Sequence, residues 1–422
     1  MVERKAHNMF RSIAALMFAS VGAVSLTGCG SAVSGSAAAS EIDVRKLDTG
    51  AYPTDPLDYR AKYAHSNATG INLAVMRLAD SVANGWEIDP TLKYARLAKP
   101  LTTATQVGEL LADVDTAIVA RENMMFGFAM SATTTAPVAK DYSVQRDVNS
   151  KPDQPQLDTI AVNLTVLQFP DADSARRAAA DVEAADFAVA AGSNTAVALD
   201  TYPDAKAHWR QGIPTIGTTM ARGSYLVNVF VKRPDADLDK LKELTRKVLA
   251  TELPLLDGLA PLTKRDVLHL DYDPQAMMRR TLHPGDIPSP DYSNEYVLTP
   301  RGFLPRVVDT DAWRHLMDVG GVDLLSATPD GGLLMRARDA AAAADLGNEF
   351  KRVSKRPADP PADVPGAFCS ENTATAPYTP GDRFYCTVRY GRYIARVSSA
   401  QRLDAQQRAA AQFALLANSS WM

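Results

Sequence analysis

The sequence predicts an α+β protein of two domains, each an antiparallel sheet covered by helices. Three observations carry that expectation. At 422 residues the chain is longer than one ordinary core accommodates. Its strand-like runs alternate with period 2 and meet at glycine turns, the pattern of hairpins. The order strand, helix, loop, hairpin, helix also occurs twice, as expected for two duplicated units.

Residues 1–28 read as a lipoprotein signal peptide. Arg4, Lys5 and Arg11 precede an uncharged apolar run from Ile13 to Leu26, 14 residues that suit a signal core and are short for a membrane span. The run ends Leu26-Thr27-Gly28-Cys29, a bacterial lipobox in which small residues admit the peptidase before the cysteine. Cys29 is the expected lipid attachment site, carrying a thioether-linked diacylglycerol. Two acyl chains, at about 0.8 kcal/mol per buried methylene, hold where one is marginal. Met1 or Met9 can serve as the start. Residues 29–45 are rich in Gly, Ser and Ala, and form a flexible tether. The expected location is the extracytoplasmic face of the cell membrane, with the membrane itself reached through lipidated Cys29.

The N-terminal domain is expected over residues 46–285. It opens with the turn-rich Leu47–Pro56 stretch, followed by helical segments near Ala74–Val82 and Val107–Leu111. Thr133–Pro155 reads as an exposed loop. Ile160, Val162, Leu164 and Val166 alternate with Ala161, Asn163, Thr165 and Leu167, predicting a half-buried strand. An Ala-rich helix follows from about Ser174 to Val189. Ile213–Met220 and Tyr225–Val231 form a hairpin around Arg222-Gly223. A helix capped by Asp235 or Asp237 is lined by Leu238, Leu241, Val248 and Leu249, and Pro254 should stop it. The proline-rich Leu282–Pro300 stretch is the expected boundary. The C-terminal domain, 296–422, holds a strand at Leu333–Arg338, a helix at Asp339–Val353, a Pro357–Pro365 loop, a Phe384–Tyr390/Arg392–Val397 hairpin and a helix at Arg402–Ala417.

The sequence has three cysteines. With Cys29 committed to lipid, Cys369 and Cys386 are left in an oxidising compartment, flanking a 16-residue loop that contains Pro377, Pro380 and Gly381. A disulfide between them, with Cα atoms roughly 4.4–6.8 Å apart, fits better than a zinc pair, because no histidine lies within twenty residues.

Removing residues 1–28 shifts the formal net charge from −4 to −6. A mildly acidic chain does not suit nucleic acid or a polybasic membrane contact. No nucleophile elbow, zinc-protease helix, Ser-x-x-Lys or phosphate loop is present, so no catalytic residue, metal ligand or cofactor is assigned. Among the histidines His208, beside Trp209, is the most site-like; a surface histidine near a packed tryptophan is the plainer reading. Asp235-Ala236-Asp237-Leu238-Asp239 resembles a calcium-loop start but has Lys240 and Arg246 where glycine and glutamate belong, so helix capping explains it. Gln406, Gln407 and Gln412 read as the solvated side of the last helix.

Several stretches resemble an uncharacterised family of actinobacterial cell-envelope lipoproteins: Leu47–Pro56, Leu270-Asp271-Tyr272-Asp273-Pro274 leading to Thr281, Gly320-Gly321-Val322-Asp323, and Asp404–Leu416. The resemblance spans nearly the whole mature chain and implies a two-part lipoprotein without catalytic residues. The second unit is also similar in pattern to extracellular sensor domains of mycobacterial serine/threonine kinases. The function expected is non-enzymatic binding or scaffolding of a lipid, glycan or envelope protein, in an apolar groove of roughly 300–1,000 Å³ on or between the domains. Two alternatives stay open: an accessory to envelope sensing or transport, and a hydrolase with a dispersed active site.

Overall fold

A computed structural model describes residues 42–58, 62–136, 158–285, 288–329, 331–354, 356–372 and 382–420. The expected signal peptide, Cys29 and nearly all of the expected tether fall outside those residues, as does most of Thr133–Pro155. Two seven-stranded antiparallel sheets form the framework. The N-terminal sheet runs β1 (Tyr94–Leu101), β2 (Phe126–Thr133), β3 (Ala161–Gln168), β7 (Tyr225–Lys232), β6 (Thr215–Arg222), β5 (Lys206–Arg210) and β4 (Asn194–Val197). The C-terminal sheet runs β8 (Tyr296–Leu298), β9 (Leu324–Thr328), β10 (Gly332–Arg336), β14 (Tyr393–Ser399), β13 (Phe384–Tyr390), β12 (Phe368–Glu371) and β11 (Pro357–Ala358). The two orders are the same: three strands in sequence, then the last strand, then the others in descending order. The duplication legible in four elements therefore extends to all seven strands.

The long helices are α1 (Asn67–Ala79), α2 (Ala172–Val189), α3 (Leu238–Asp257), α4 (Thr310–Gly320), α5 (Ala340–Val353) and α6 (Arg402–Asn418). Asp171, Asp237 and Asp339 each cap a helix by accepting a backbone N–H in its first turn. Helix α3 continues past Pro254, contrary to expectation. The lost backbone bond falls in the last turn, and Leu253 and Leu256 are buried on either side of it. Strand β3 is buried on both faces rather than half-buried. Val162, Leu164 and Val166 face the main core, while Leu167 packs with Ala175, Ala178 and Val182 of α2.

That main core runs without a break from Tyr63 to Ile394 and takes side chains from both sheets. The stretch read as a boundary is largely buried: Leu282, Tyr292 and Leu298 are at most 1% exposed. The Tyr292 ring meets Phe128 of β2 edge-on at 5.0 Å, and its hydroxyl donates to Gly302 O at 2.9 Å. Ala95 N donates to Val308 O and Thr310 N to Lys93 O, joining the chain just beyond that stretch to the edge of β1.

Cys369 and Cys386 are disulfide-bonded. They face each other directly across β12 and β13, which brings their Cα atoms to 4.1 Å, slightly closer than expected. Of the three glutamines of α6, Gln406 and Gln407 stay part-exposed, but Gln412 is not on a solvated side. Gln412 is 1% exposed; its Oε1 accepts from Leu282 N and its Nε2 donates to Arg280 O, both at 2.7 Å. Gln407 donates to Asp48 at 2.9 Å, and Tyr52 donates to Asp404, so the Leu47–Pro56 strap lies along α6.

Replacing Gln412 with Ala orphans two buried backbone groups and should cost roughly 2–4 kcal/mol in chemical denaturation. Gln407→Ala, at the surface, should cost under about 1 kcal/mol. Equal losses would contradict this division.

Candidate functional site

Along β7 the outer face of the N-terminal sheet changes character. Leu226 is buried with α2, Asn228 donates to Thr219 Oγ1 at 2.9 Å, and Phe230 is 39% exposed. Register places Ser131, Asn163, Phe230, Gly217 and His208 in one row across five strands. Cross-strand partners share a face, so this row is a continuous strip. At Gly217 a Cβ would stand 3.2 Å from the His208 ring, so the missing side chain leaves that ring its place.

His208 is fixed from above by α2. Its Nδ1 lies 2.8 Å from Glu183 Oε1, and Phe187 meets the ring edge-on at 6.1 Å. The hydrogen bond to Glu183 raises the imidazole pKa, reinforced by the charges of Glu183 and Asp186. Asp186 is itself raised, chiefly by burial, and stands beside Asp115 at the start of the short helix Asp115–Arg121. Burial and the neighbouring Asp186 charge push Asp115 up to about 7. Asp115 Oδ2 accepts from Ala112 N at 3.1 Å, whereas Asp115 Oδ1 and Glu183 Oε2 are buried with no hydrogen-bond partner among the described residues. Two carboxylates, Glu183 and Asp186, thus face one imidazole, and Asp115 stands behind Asp186, an arrangement that can hold and pass a proton. Among the described residues no group of three or more acid, histidine or cysteine side chains is arranged to hold a metal ion.

The sequence singled out His208 but not its acids. Glu183 and Asp186, spaced i and i+3 on an Ala-rich helix, resemble ordinary surface acids until the sheet is placed beneath them. Trp209 points elsewhere, its Nε1 donating to Ile213 O at 2.8 Å. The other described histidines are dispersed: His65 against Tyr63, His269 on Arg265 O, His283 beside Glu295 and His315 beside Glu349. Asp237 caps α3, and Asp235 pairs with Lys240 and Arg233, in keeping with the capping reading. Cys29 lies outside the described residues.

The stretches that carried the family resemblance are architectural. Tyr272 donates to Glu295, Asp273 accepts from Met278 N and Arg279 N, and Thr281 and Ser326 share a hydroxyl hydrogen bond. A depression of about 50 Å³ between β3 and α3 is lined by Asp89, Thr91, Arg233, Lys240, Glu243 and Lys247 among others. It is polar and internally ion-paired, unlike the expected apolar groove. Among the described residues no helix is long and apolar enough to cross a membrane.

Two fused α+β units of like topology, one bearing a histidine–carboxylate cluster on its outer face, define the class. The chain belongs to the DUF7373 family, a domain of unknown function: residues 61–272 match its N-terminal part and 277–419 its C-terminal part. No curated protein matches. Among solved structures, the extracellular domain of PknH from Mycobacterium tuberculosis matches at 13% identity and a TM-score of 0.27, over 44% of this chain and 97% of that one.

The Asp115 carboxyl titrates at 3.8 when unperturbed and at about 7 in the fold. Between those values the folded chain holds a proton that the unfolded chain lacks, so its contribution to stability falls as pH rises and levels off above 7. Asp115→Asn, which keeps an acceptor for Ala112 N, should match wild type near pH 4 and exceed it by up to roughly 4 kcal/mol near pH 8 in urea denaturation. A variant less stable than wild type at both pH values would contradict the assignment.

Proposed function

We propose that this chain is a lipid-anchored, non-enzymatic lipoprotein of the cell envelope that holds a glycan on the outer face of its N-terminal sheet. The observation that carries the reading is Phe230, 39% exposed in mid-sheet and flanked in register by Asn163 and Gly217, with His208 one strand further. An exposed aromatic offers an apolar plane to the C–H face of a sugar ring. The amide of Asn163 and the imidazole of His208 supply hydrogen-bonding groups beside it, and Gly217 leaves room for the ring. A lipid tail would call for a wider apolar lining than one aromatic ring. The lipobox at Cys29 and the Gly/Ser/Ala tether support a position at the membrane surface, within reach of wall polymers.

Co-sedimentation of the mature chain with purified wall polysaccharide tests the site. Phe230→Ala should weaken binding at least about tenfold, or 1.4 kcal/mol, with an unchanged melting temperature. Undiminished binding by the variant removes the proposed surface, and retention on lipid vesicles but not on polysaccharide moves the reading to a lipid ligand. For the anchor, Cys29→Ala should abolish fatty-acid labelling and release the chain from the membrane fraction, and equal labelling of both would remove it.

A second reading, a glycan hydrolase, is favoured by the paired Asp115 and Asp186 beside His208 and Glu183. Release of reducing ends by wild type, lost in Asp186→Asn, would select it.

A further inference from the structure

Where the two family parts meet, three acids of the first converge on one guanidinium of the second. Arg301, in the short helix Pro300–Phe303, donates through Nε and Nη2 to Glu87, with Nη2 2.9 Å from Oε1, and through Nη1 to Asp80 O. Asp80, at the C-terminal end of α1, accepts from both Thr299 N and Thr299 Oγ1 at 2.8 Å. Gly302 packs against the same carboxylate so closely that a Cβ there would collide with Asp80 Oδ1. Glu252 comes from α3 and is fully buried. Its Oε2 accepts from Ala83 N at 2.7 Å, and its Oε1 has no hydrogen-bond partner among the described residues. The charged groups facing Glu252 are Glu87 and Arg301; those facing Asp80 are Arg301 and the Tyr292 hydroxyl.

One cation already bidentate to Glu87 cannot also neutralise a buried Glu252. The geometry leaves that carboxyl two states: protonated and tolerated, or ionised with one oxygen bare in an apolar core. We propose that the cluster is an acid-tightened joint, in which a proton on Glu252 keeps the Thr299–Phe303 turn fully docked against the end of α1 and the Gly85–Ile88 turn, and its loss loosens that contact.

Burial pushes Glu252 up to about 8 and Asp80 up to about 6, from 4.5 and 3.8. Both shifts have the same sign. A raised carboxyl favours the docked state below its ordinary value, and that advantage drains away as pH climbs to the shifted one. Opening the joint hydrates both acids, so the docked population falls with rising pH, mostly through Glu252. Acidification of the surroundings therefore stiffens the connection between the parts, and alkalinity frees it.

Hydrogen exchange of the full mature chain reads the joint directly, because the Ala83 and Thr299 amides donate to Glu252 and Asp80. After correction for intrinsic rates, their protection should fall at least about tenfold between about pH 6 and pH 9. Amides of central strands β3 and β13 should change far less. In Glu252→Gln, which keeps the acceptor for Ala83 but cannot ionise, the Ala83 protection should stay nearly flat. Constant protection in wild type, a fall shared equally by the sheet amides, or an undiminished fall in Glu252→Gln would each overturn the joint. The wild-type profile alone decides if the variant does not fold.

Discussion

The inner face of the N-terminal sheet has to be covered, and the chain covers it with its own C-terminal part. Phe126, Phe128 and Met130 of β2, with Val162, Leu164 and Val166 of β3, present an apolar surface that α1 and α3 share with Tyr292, Leu298 and Phe303. At about 1.5–3 kcal/mol per buried side chain, exposing such a face would cost about as much as the whole net stability of an ordinary domain. The two family parts are therefore recognisable as separate repeats in topology and yet merge in one core. The start of the C-terminal part carries the seam: Tyr292 and Tyr296 are buried, Arg306 stacks over them at 4.8 and 4.3 Å, and the backbone at Val308 and Thr310 bonds to the edge of β1.

Polar chemistry is displaced to where that core ends. At the seam, burial leaves Glu252 with one cation that Glu87 has already engaged. On the outer face, α2 covers the sheet as far as Leu226, and beyond it the row of Asn163, Phe230 and His208 meets Glu183, Asp186 and Asp115. Both clusters owe their raised carboxyl pKa values first to desolvation. They differ in access. Glu252 is sealed, whereas the outer row includes an exposed aromatic. That contrast is why a conformational role suits the first and a binding role the second.

Much of the framework was legible because local signals agreed with the tertiary outcome. Helix α3 announced itself by its cap and apolar spacing, α2 by its alanine-rich run, and the β6–β7 and β13–β14 hairpins by alternation around glycines. Strands β1 and β2 did not. Phe126–Thr133 is buried on both faces and so lacks alternation, while Tyr94–Leu101 contains Lys99 and Pro100, which only the finished sheet accommodates. The solvated reading of Gln412 failed for a similar reason: a glutamine on a helix looks exposed until two backbone groups from 280–282 reach it. His208 stood out by its chemistry, but its acids come from separate elements and no spacing in the sequence foretells their meeting.

The shared core is the claim on which the seam, the joint and the position of the strap all rest. Differential scanning calorimetry of the chain near pH 6 tests it most directly. One cooperative transition, whose van't Hoff and calorimetric enthalpies agree, is the predicted result. Two separable transitions, assignable to the 61–272 and 277–419 parts, would contradict it.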